Sequence, residues 1–281
     1  DISCSLVGSE MCIRDRASRA GAGVPLHDVT HIPAPYMFPE LDTVAYMEQL
    51  LADDHSGVEK PAALVLETIQ AEGGIFPFDF EWLKRIEDFC HRHEILLIVD
   101  DIQVGCGRSG AFFSFEKAGI HPDMVALSKS IGGYGLPMAL LLFKPELDIW
   151  KPGEHNGTFR GNQMAFIAAK AALEFALSTN LYESVNDKSK IVEEYMKNEI
   201  LPLDEKLAVR GRGLIFGLDF SKAAPKGTCR EVVTECFKNG LIIEQAGRDD
   251  SVLKLMPALT ISEEELVQGL EIIKKSAQAV L

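Results

Sequence analysis

The sequence predicts an α/β protein, with a mainly parallel sheet covered by helices on both faces and a smaller α+β region at the C-terminal end. Three observations carry this. Continuous apolar runs, "AALVLET" from Ala62 and "ILLIVDD" from Ile95, have the composition of strands buried on both faces. Segments of helical period separate those runs. After "VRGRGLIFGLDF" the pieces become shorter, which marks a change of architecture.

Taken in order, the first strand ends near Glu67. A helix over "DFEWLKRIEDFCHRH" comes next, with Phe80, Leu83, Ile86, Phe89 and Cys90 at helical spacing and Asp79 as its N-cap. The strand "ILLIVDD" closes on two aspartates, and further strands are expected at Met124–Leu127 and 137–143. "GNQMAFIAAKAALEFAL" (161–177) reads as an alanine-rich helix, and a polar helical stretch runs on to about residue 200. A helix near Thr228–Lys238 should lead to strands at 241–244 and 252–256. The last helix opens with the capping box Ser262–Glu265 and carries Leu266, Leu270 and Ile273 on one face. The expected division is 17–180 for a large α/β domain and 181–281 for a small α+β domain. Residues 1–16, "DISCSLVGSEMCIRDR", show neither period, resemble translated adapter read-through, and are expected to lie outside the fold.

Composition narrows the function classes. A formal charge of −14 over 281 residues, with no large basic cluster, disfavours nucleic-acid binding. The longest apolar runs, such as residues 138–143, are far short of a membrane span. Six scattered cysteines without a C-x-x-C pair suit reduced thiols in the cytoplasm. "HRH" at His91–His93 falls at a helix end, where positive groups complement the dipole, so no metal site is expected there.

In doubly wound sheets, ligands bind beyond the carboxyl ends of the strands. Here three such ends carry unusual polar groups: Glu67 to Gly74, Asp100 to Gln103, and Ser128-Lys129-Ser130. A buried carboxylate at Asp100 needs a cation to offset its desolvation. A lysine buried at position 129 would have its pKa lowered, which makes it a nucleophile toward an aldehyde. Pyridoxal 5'-phosphate uses both groups, a lysine as Schiff-base partner and an aspartate at the ring nitrogen. A structural ion pair between Asp100 and Lys129 is the alternative that spacing leaves open.

The stretch "LLIVDDIQVGCGRSGAFFSFEKAGIHPDMVALSKSIGGYGLP" resembles the core of a class III aminotransferase of fold type I, and "GEHNGTFRGNQMAF" resembles the cofactor segment that comes after it. The likeness runs from about residue 17 to the C-terminus. It implies pyridoxal phosphate as cofactor, Lys129 as the Schiff-base lysine and proton carrier, and Asp100 at the pyridinium nitrogen. It further implies Ile102 on the ring face, Gln103 toward the ring hydroxyl, and Thr158 on the phosphate of a neighbouring subunit, hence a homodimer. Glu72 matches the family's gating glutamate. Lys254, in "LKLMPALTI", stands where many members have an arginine for a substrate carboxylate. Lysine lacks arginine's bidentate fork.

The wording of "VDDIQVGCGRSG", "GYGLPMAL", "GEHNGTFRGN" and "RAGAGVPLHDV" points, within the family, to glutamate as amino donor and aspartate 4-semialdehyde as acceptor, a step of ectoine biosynthesis. Other ω-aminotransferase substrates, such as ornithine or 4-aminobutyrate, are the alternative. The family's phosphate loop and ring-stacking aromatic have no counterpart in residues 17–60, so the chain is expected to be an N-terminally shortened form, active or inactive. Arg212 is expected to be a structural residue. "GCGRSG" (105–110) satisfies G-x-G-x-x-G, but the adjoining "AFFSFEKAGIHP" is too short and aromatic for the helix a dinucleotide needs.

Overall fold

In the computed structural model, residues 28–158 and 160–281 are described. Residues 1–16, and most of "RAGAGVPLHDV", lie outside them. After helix α1 (Thr43–Ala52) come strand β1 (Ala63–Leu66), a two-stranded hairpin of β2 (Ile69–Gln70) and β3 (Phe76–Pro77), helix α2 (Phe80–Arg92) and strand β4 (Leu96–Asp100). Strands β5 (Met124–Leu127) and β6 (Leu140–Phe143) complete a sheet of order β1-β4-β5-β6.

Pairing is parallel for β1–β4 and β4–β5 but antiparallel for β5–β6. A parallel return needs a crossover, commonly a helix. The residues between β5 and β6 hold a single 3-10 turn, Lys129–Gly132, so the chain folds straight back. The sheet is therefore mixed at one edge and parallel elsewhere.

Helix α2 starts where expected: the Asp79 carboxylate accepts from the backbone N–H of Glu81 (2.9 Å) and Trp82 (3.1 Å). Its buried face, Leu83, Ile86, Phe89 and Cys90, packs with Leu97, Val99 and Leu127 of the sheet. Each such side chain contributes about 1.5–3 kcal/mol of burial. His91 and Arg92 fill the last turn, and His93 Nε2 lies 2.7 Å from Glu48.

Helices α3 (Gln163–Ser178) and α4 (Leu181–Tyr195) come next. Asn162 caps α3 through its side-chain oxygen, which accepts from Met164 and Ala165 N–H. A second sheet has the order β7-β8-β10-β9 and is antiparallel throughout: β7 (Ala208–Arg212), β8 (Ile215–Asp219), β9 (Glu244–Ala246) and β10 (Val252–Leu255). Helices α5 (Thr228–Lys238) and α6 (Glu263–Val280), with α4, close its core around Phe216, Leu218, Leu253, Leu270 and Ile273. The capping box at Ser262 and Glu265 forms on both sides.

One strand is displaced from its expected place. The sequence predicts extended chain over 241–244, but pairing with β10 begins at Glu244 and runs to Ala246. Gly240 ends α5 at a φ of 88°, and Leu241 N–H bonds back to the Cys236 carbonyl. Residues 241–243 are spent leaving the helix, and Ile242 is exposed.

The first sheet's loops are tied to the second sheet by polar contacts. Buried Arg108 donates through Nη1 to the carbonyls of Leu214 (2.9 Å) and Pro257 (2.5 Å). Arg210 Nε donates to Gly74 O (2.8 Å), and Arg212 Nη2 to Phe78 O (3.2 Å) while its guanidinium lies 4.2 Å over the Phe80 ring. Arg212 is thus a structural residue of β7. No single helix among the described residues is long and apolar enough to cross a membrane.

Candidate active site

Three loops leave the C-terminal ends of β1, β4 and β5 on the same edge of the first sheet, as the two parallel pairings require. The loop after β1 carries Glu72, and Gly247 N–H donates to the Glu72 backbone carbonyl (2.9 Å). The end of β4 carries Asp100, only 6% exposed, whose Oδ1 accepts from Ile102 N–H (3.0 Å). That bond turns the chain so that Gln103 faces Glu72, and Gln103 Nε2 donates to Glu72 Oε1 (2.9 Å).

The end of β5 carries Lys129 at a φ of 51°, a left-handed backbone that a lysine adopts only when its surroundings impose it. Those surroundings are visible. Ser128 Oγ donates to Met138 O (3.0 Å), and Gly133 N–H to Ser130 O (3.1 Å). The turn also presses on α3 so closely that a Cβ on Gly133 (φ 67°) would sit 2.9 Å from the Ala168 carbonyl. Lys129 itself is exposed, which corrects the expectation of a buried lysine. The strand and glycine turn hold the backbone, and the ammonium reaches into open space.

That space is a cavity of about 1010 Å³, lined by Glu72, Gln103, Lys129 and Lys254, with Glu244 and an apolar wall including Ile242 and Met256. Lys254, on β10 and 6% exposed, lies 2.7 Å from Glu72 Oε1 and 3.1 Å from Glu244 Oε2. Burial works against charge on both Glu72 and Lys254. Their mutual hydrogen bond and attraction, joined by Gln103 on Glu72 and by Glu244 on Lys254, together outweigh it, holding the Glu72 carboxyl below its ordinary range and raising the Lys254 ammonium. The Lys129 charge also helps to keep Glu72 ionised, which places the two groups within electrostatic reach.

The expected site residues therefore divide. Glu72, Gln103, Lys129 and Lys254 share one cavity, while Asp100, which ends β4, and Ile102 come just before Gln103 in the chain and are outside the lining. Thr158 does not join them; it is exposed on the loop before α3 and outside the lining. The buried Gln103 Oε1 has no hydrogen-bond partner among the described residues, which leaves an acceptor open to a ligand donor. Together with a buried carboxylate and a reachable amine, this donor set fits a cofactor that offers a hydroxyl, a protonated ring nitrogen and an aldehyde.

Three features escaped the sequence reading. Glu244 faces Lys254 across the β9–β10 register, a pairing that no local pattern reveals. Asp101 is buried, its Oδ2 accepting from Ser114 N–H (3.1 Å), while Ser114 Oγ bonds Thr68. Burial raises the Asp101 carboxyl to about 6, despite the opposing hydrogen bonds from Ser114. The glycines of "GCGRSG" serve packing rather than a phosphate. Asn186 of α4 crowds Gly110 (φ 87°) and donates to its carbonyl (2.8 Å), and a 3-10 turn, Glu116–Ala118, stands where a dinucleotide fold would start a helix.

Comparison with known proteins gives a consistent result. The family model described as Aminotransferase class-III matches residues 11–277, a range that takes in residues 11–16. A "Diaminobutyrate--2-oxoglutarate transaminase" of Bordetella parapertussis is 48% identical over 277 residues, covering 98% of this chain and 63% of that protein. Proteins with the same name from Sporosarcina pasteurii (47% over 276 residues; 98% and 65%) and Wolinella succinogenes (52% over 247 residues; 88% and 57%) are also similar. The chain spans less than two thirds of the length of these relatives. Among solved structures, a Bacillus anthracis aminotransferase matches with TM-score 0.83 at 26% identity, covering 94% of this chain and 64% of that one. An ornithine aminotransferase from Toxoplasma gondii, described as having partial occupancy of PLP at its active site, matches with TM-score 0.77 at 29% identity, covering 85% and 55%.

Proposed function

The chain belongs to the class III aminotransferase family, of fold type I, and from that premise we propose that it catalyses pyridoxal-phosphate-dependent transamination. L-Glutamate gives its amine and leaves as 2-oxoglutarate, and L-aspartate 4-semialdehyde receives it to become L-2,4-diaminobutyrate. The observation that carries this reading is the meeting of Lys129, Glu72, Gln103 and Lys254 in one cavity, with Asp100 ending β4 three residues before Gln103. The assignment of substrates rests on the name shared by relatives 46–52% identical to this chain.

When bound, pyridoxal 5'-phosphate supplies an aldehyde that condenses with amines and a ring that stores the electron pair left when a substrate proton departs. The chain's own groups do the rest. The Asp100 carboxylate, at the end of β4, would hold the proton on the ring nitrogen, Gln103 Oε1 would accept from the ring hydroxyl, and Ile102 would pack against the ring. Lys129 Nζ would hold the cofactor through its aldehyde and, when free, would be the base that carries the substrate proton. Glu72 and Lys254 neutralise each other until a substrate carboxylate arrives, when Lys254 can exchange one carboxylate for another.

In this reading residues 17–180 belong to the cofactor-binding domain and 181–281 to the small domain, and the working form is a homodimer with Thr158 serving the partner's phosphate. The outward apolar side chains of α3, Met164, Ile167 and Leu177, supply a surface for such a contact. Free thiols at Cys90, Cys106, Cys229 and Cys236 suit a cytoplasmic setting.

A panel of amino acceptors tests the assignment on the cofactor-loaded protein with glutamate as donor. Turnover of aspartate 4-semialdehyde above other aldehydes is expected. Turnover of glutamate 5-semialdehyde or succinate semialdehyde in its place would replace the substrate and keep the class.

A further inference from the structure

Lys254 is a buried cation held between two carboxylates, and the two are not equivalent. Glu72 Oε1 is fixed by Lys254 at 2.7 Å and by Gln103 at 2.9 Å. Glu244 makes the longer contact, 3.1 Å, from an edge strand with its side chain 74% exposed. In an antiparallel pair, residues directly opposite each other project from the same face, and Glu244 is directly opposite Lys254. Both line the cavity that Lys129 enters, next to the apolar Ile242, Ile243 and Met256.

One cation meets two carboxylates here, and Glu244 is the more loosely held of them. A ligand that brings a carboxylate and an ammonium on one carbon adds no net charge and gives every group in this set a partner of opposite sign. Its carboxylate takes Lys254, and its ammonium takes the Glu244 carboxylate that Lys254 has released. We propose that Glu244 is a specificity-determining residue that binds the non-reacting α-ammonium of an α-amino acid transformed at its distal carbon, with Lys254 binding the α-carboxylate beside it. This deepens the functional reading above and rests on it. Glutamate and 4-aminobutyrate have a single ammonium, the reacting one, and so have nothing for Glu244. The Ile242–Ile243 wall offers contact to the methylenes between the two ends.

The test compares Glu244→Gln and Glu244→Asp with the parent protein. Charged hydrogen bonds contribute roughly 10- to 100-fold in affinity. Glu244→Gln should lower kcat/KM for L-2,4-diaminobutyrate relative to 4-aminobutyrate by about 10-fold or more, through KM rather than kcat, and Glu244→Asp should retain part of the preference. Calorimetric binding of L-2,4-diaminobutyrate should weaken in the same order, whether or not turnover is seen. An unchanged preference in Glu244→Gln, or equal losses for both amines, overturns the proposal. So does a parent protein that binds 4-aminobutyrate but not diaminobutyrate. Absence of turnover with every amine strikes instead at the functional reading, and the binding series still decides the role of Glu244.

Discussion

Replacing Asp101 by asparagine should make the protein more stable at neutral pH, against the usual direction for a buried hydrogen-bonded residue. Asp101 is fully buried directly behind Asp100, with Oδ2 on Ser114 N–H and no partner for Oδ1 among the described residues. Burial, only partly offset by Ser114, raises its carboxyl from 3.8 to about 6. The folded state therefore holds a proton that the unfolded state has released between about pH 4 and 6, so this residue's contribution falls as pH rises through that window. A shift of about two units corresponds to about 3 kcal/mol. Asparagine resembles the protonated form and removes the ionisation, at a cost of about 1 kcal/mol for the weaker bond to Ser114. Groups held below their ordinary range, such as Glu72 and Asp219, gain stability with rising pH, the opposite sign, and cancel in the comparison because both proteins carry them. Urea denaturation at pH 4.5, 6 and 8 should show Asp101→Asn equal to the parent at the acid end and about 2 kcal/mol more stable at pH 8. A variant less stable at pH 8, with no divergence between pH 4.5 and 8, would refute the reasoning and mean that the charged form is the one the fold stabilises.

Arg108→Met should cost about 2–4 kcal/mol, because the carbonyls of Leu214 and Pro257 lose a charged donor where the two sheets are joined; a denaturation midpoint unchanged from the parent would contradict this. Gly133→Ala should lose at least about 1–2 kcal/mol for a left-handed alanine and push the Lys129 turn away from Ala168. Titration with pyridoxal phosphate should then show weaker uptake than the parent, and parent-like uptake would mean that the turn is not held by this contact.

The strand ends were legible in the sequence because each carries its own signal. "ILLIVDD" is too apolar for an exposed strand and too abruptly acidic for a buried loop, and "ALSKSIGG" places a lysine just before glycines. Asp79 and Ser262 announce their helices by capping chemistry that acts within four residues. The remainder depends on distance along the chain. Lys254 meets Glu72 182 residues away, and its second carboxylate depends on a β9–β10 register that Gly240 shifts. The exposure of Lys129 was equally hidden, since an apolar strand suggests burial while the fold opens a cavity at its end. Asp101 differs from Asp100 by one residue and by the face it occupies, and its neighbours Ser114 and Thr68 come from other loops.

The central claim, that Lys129 is the residue to which the cofactor attaches, is tested most directly by locating the bond. Pyridoxal phosphate is added, the adduct is fixed with borohydride, and the peptides are mapped by mass. The account predicts loss of the absorption band near the visible edge and a single modified peptide containing Lys129, with no adduct in Lys129→Ala. A modified peptide carrying Lys254 instead, or label spread over surface lysines and unaffected by Lys129→Ala, would contradict it.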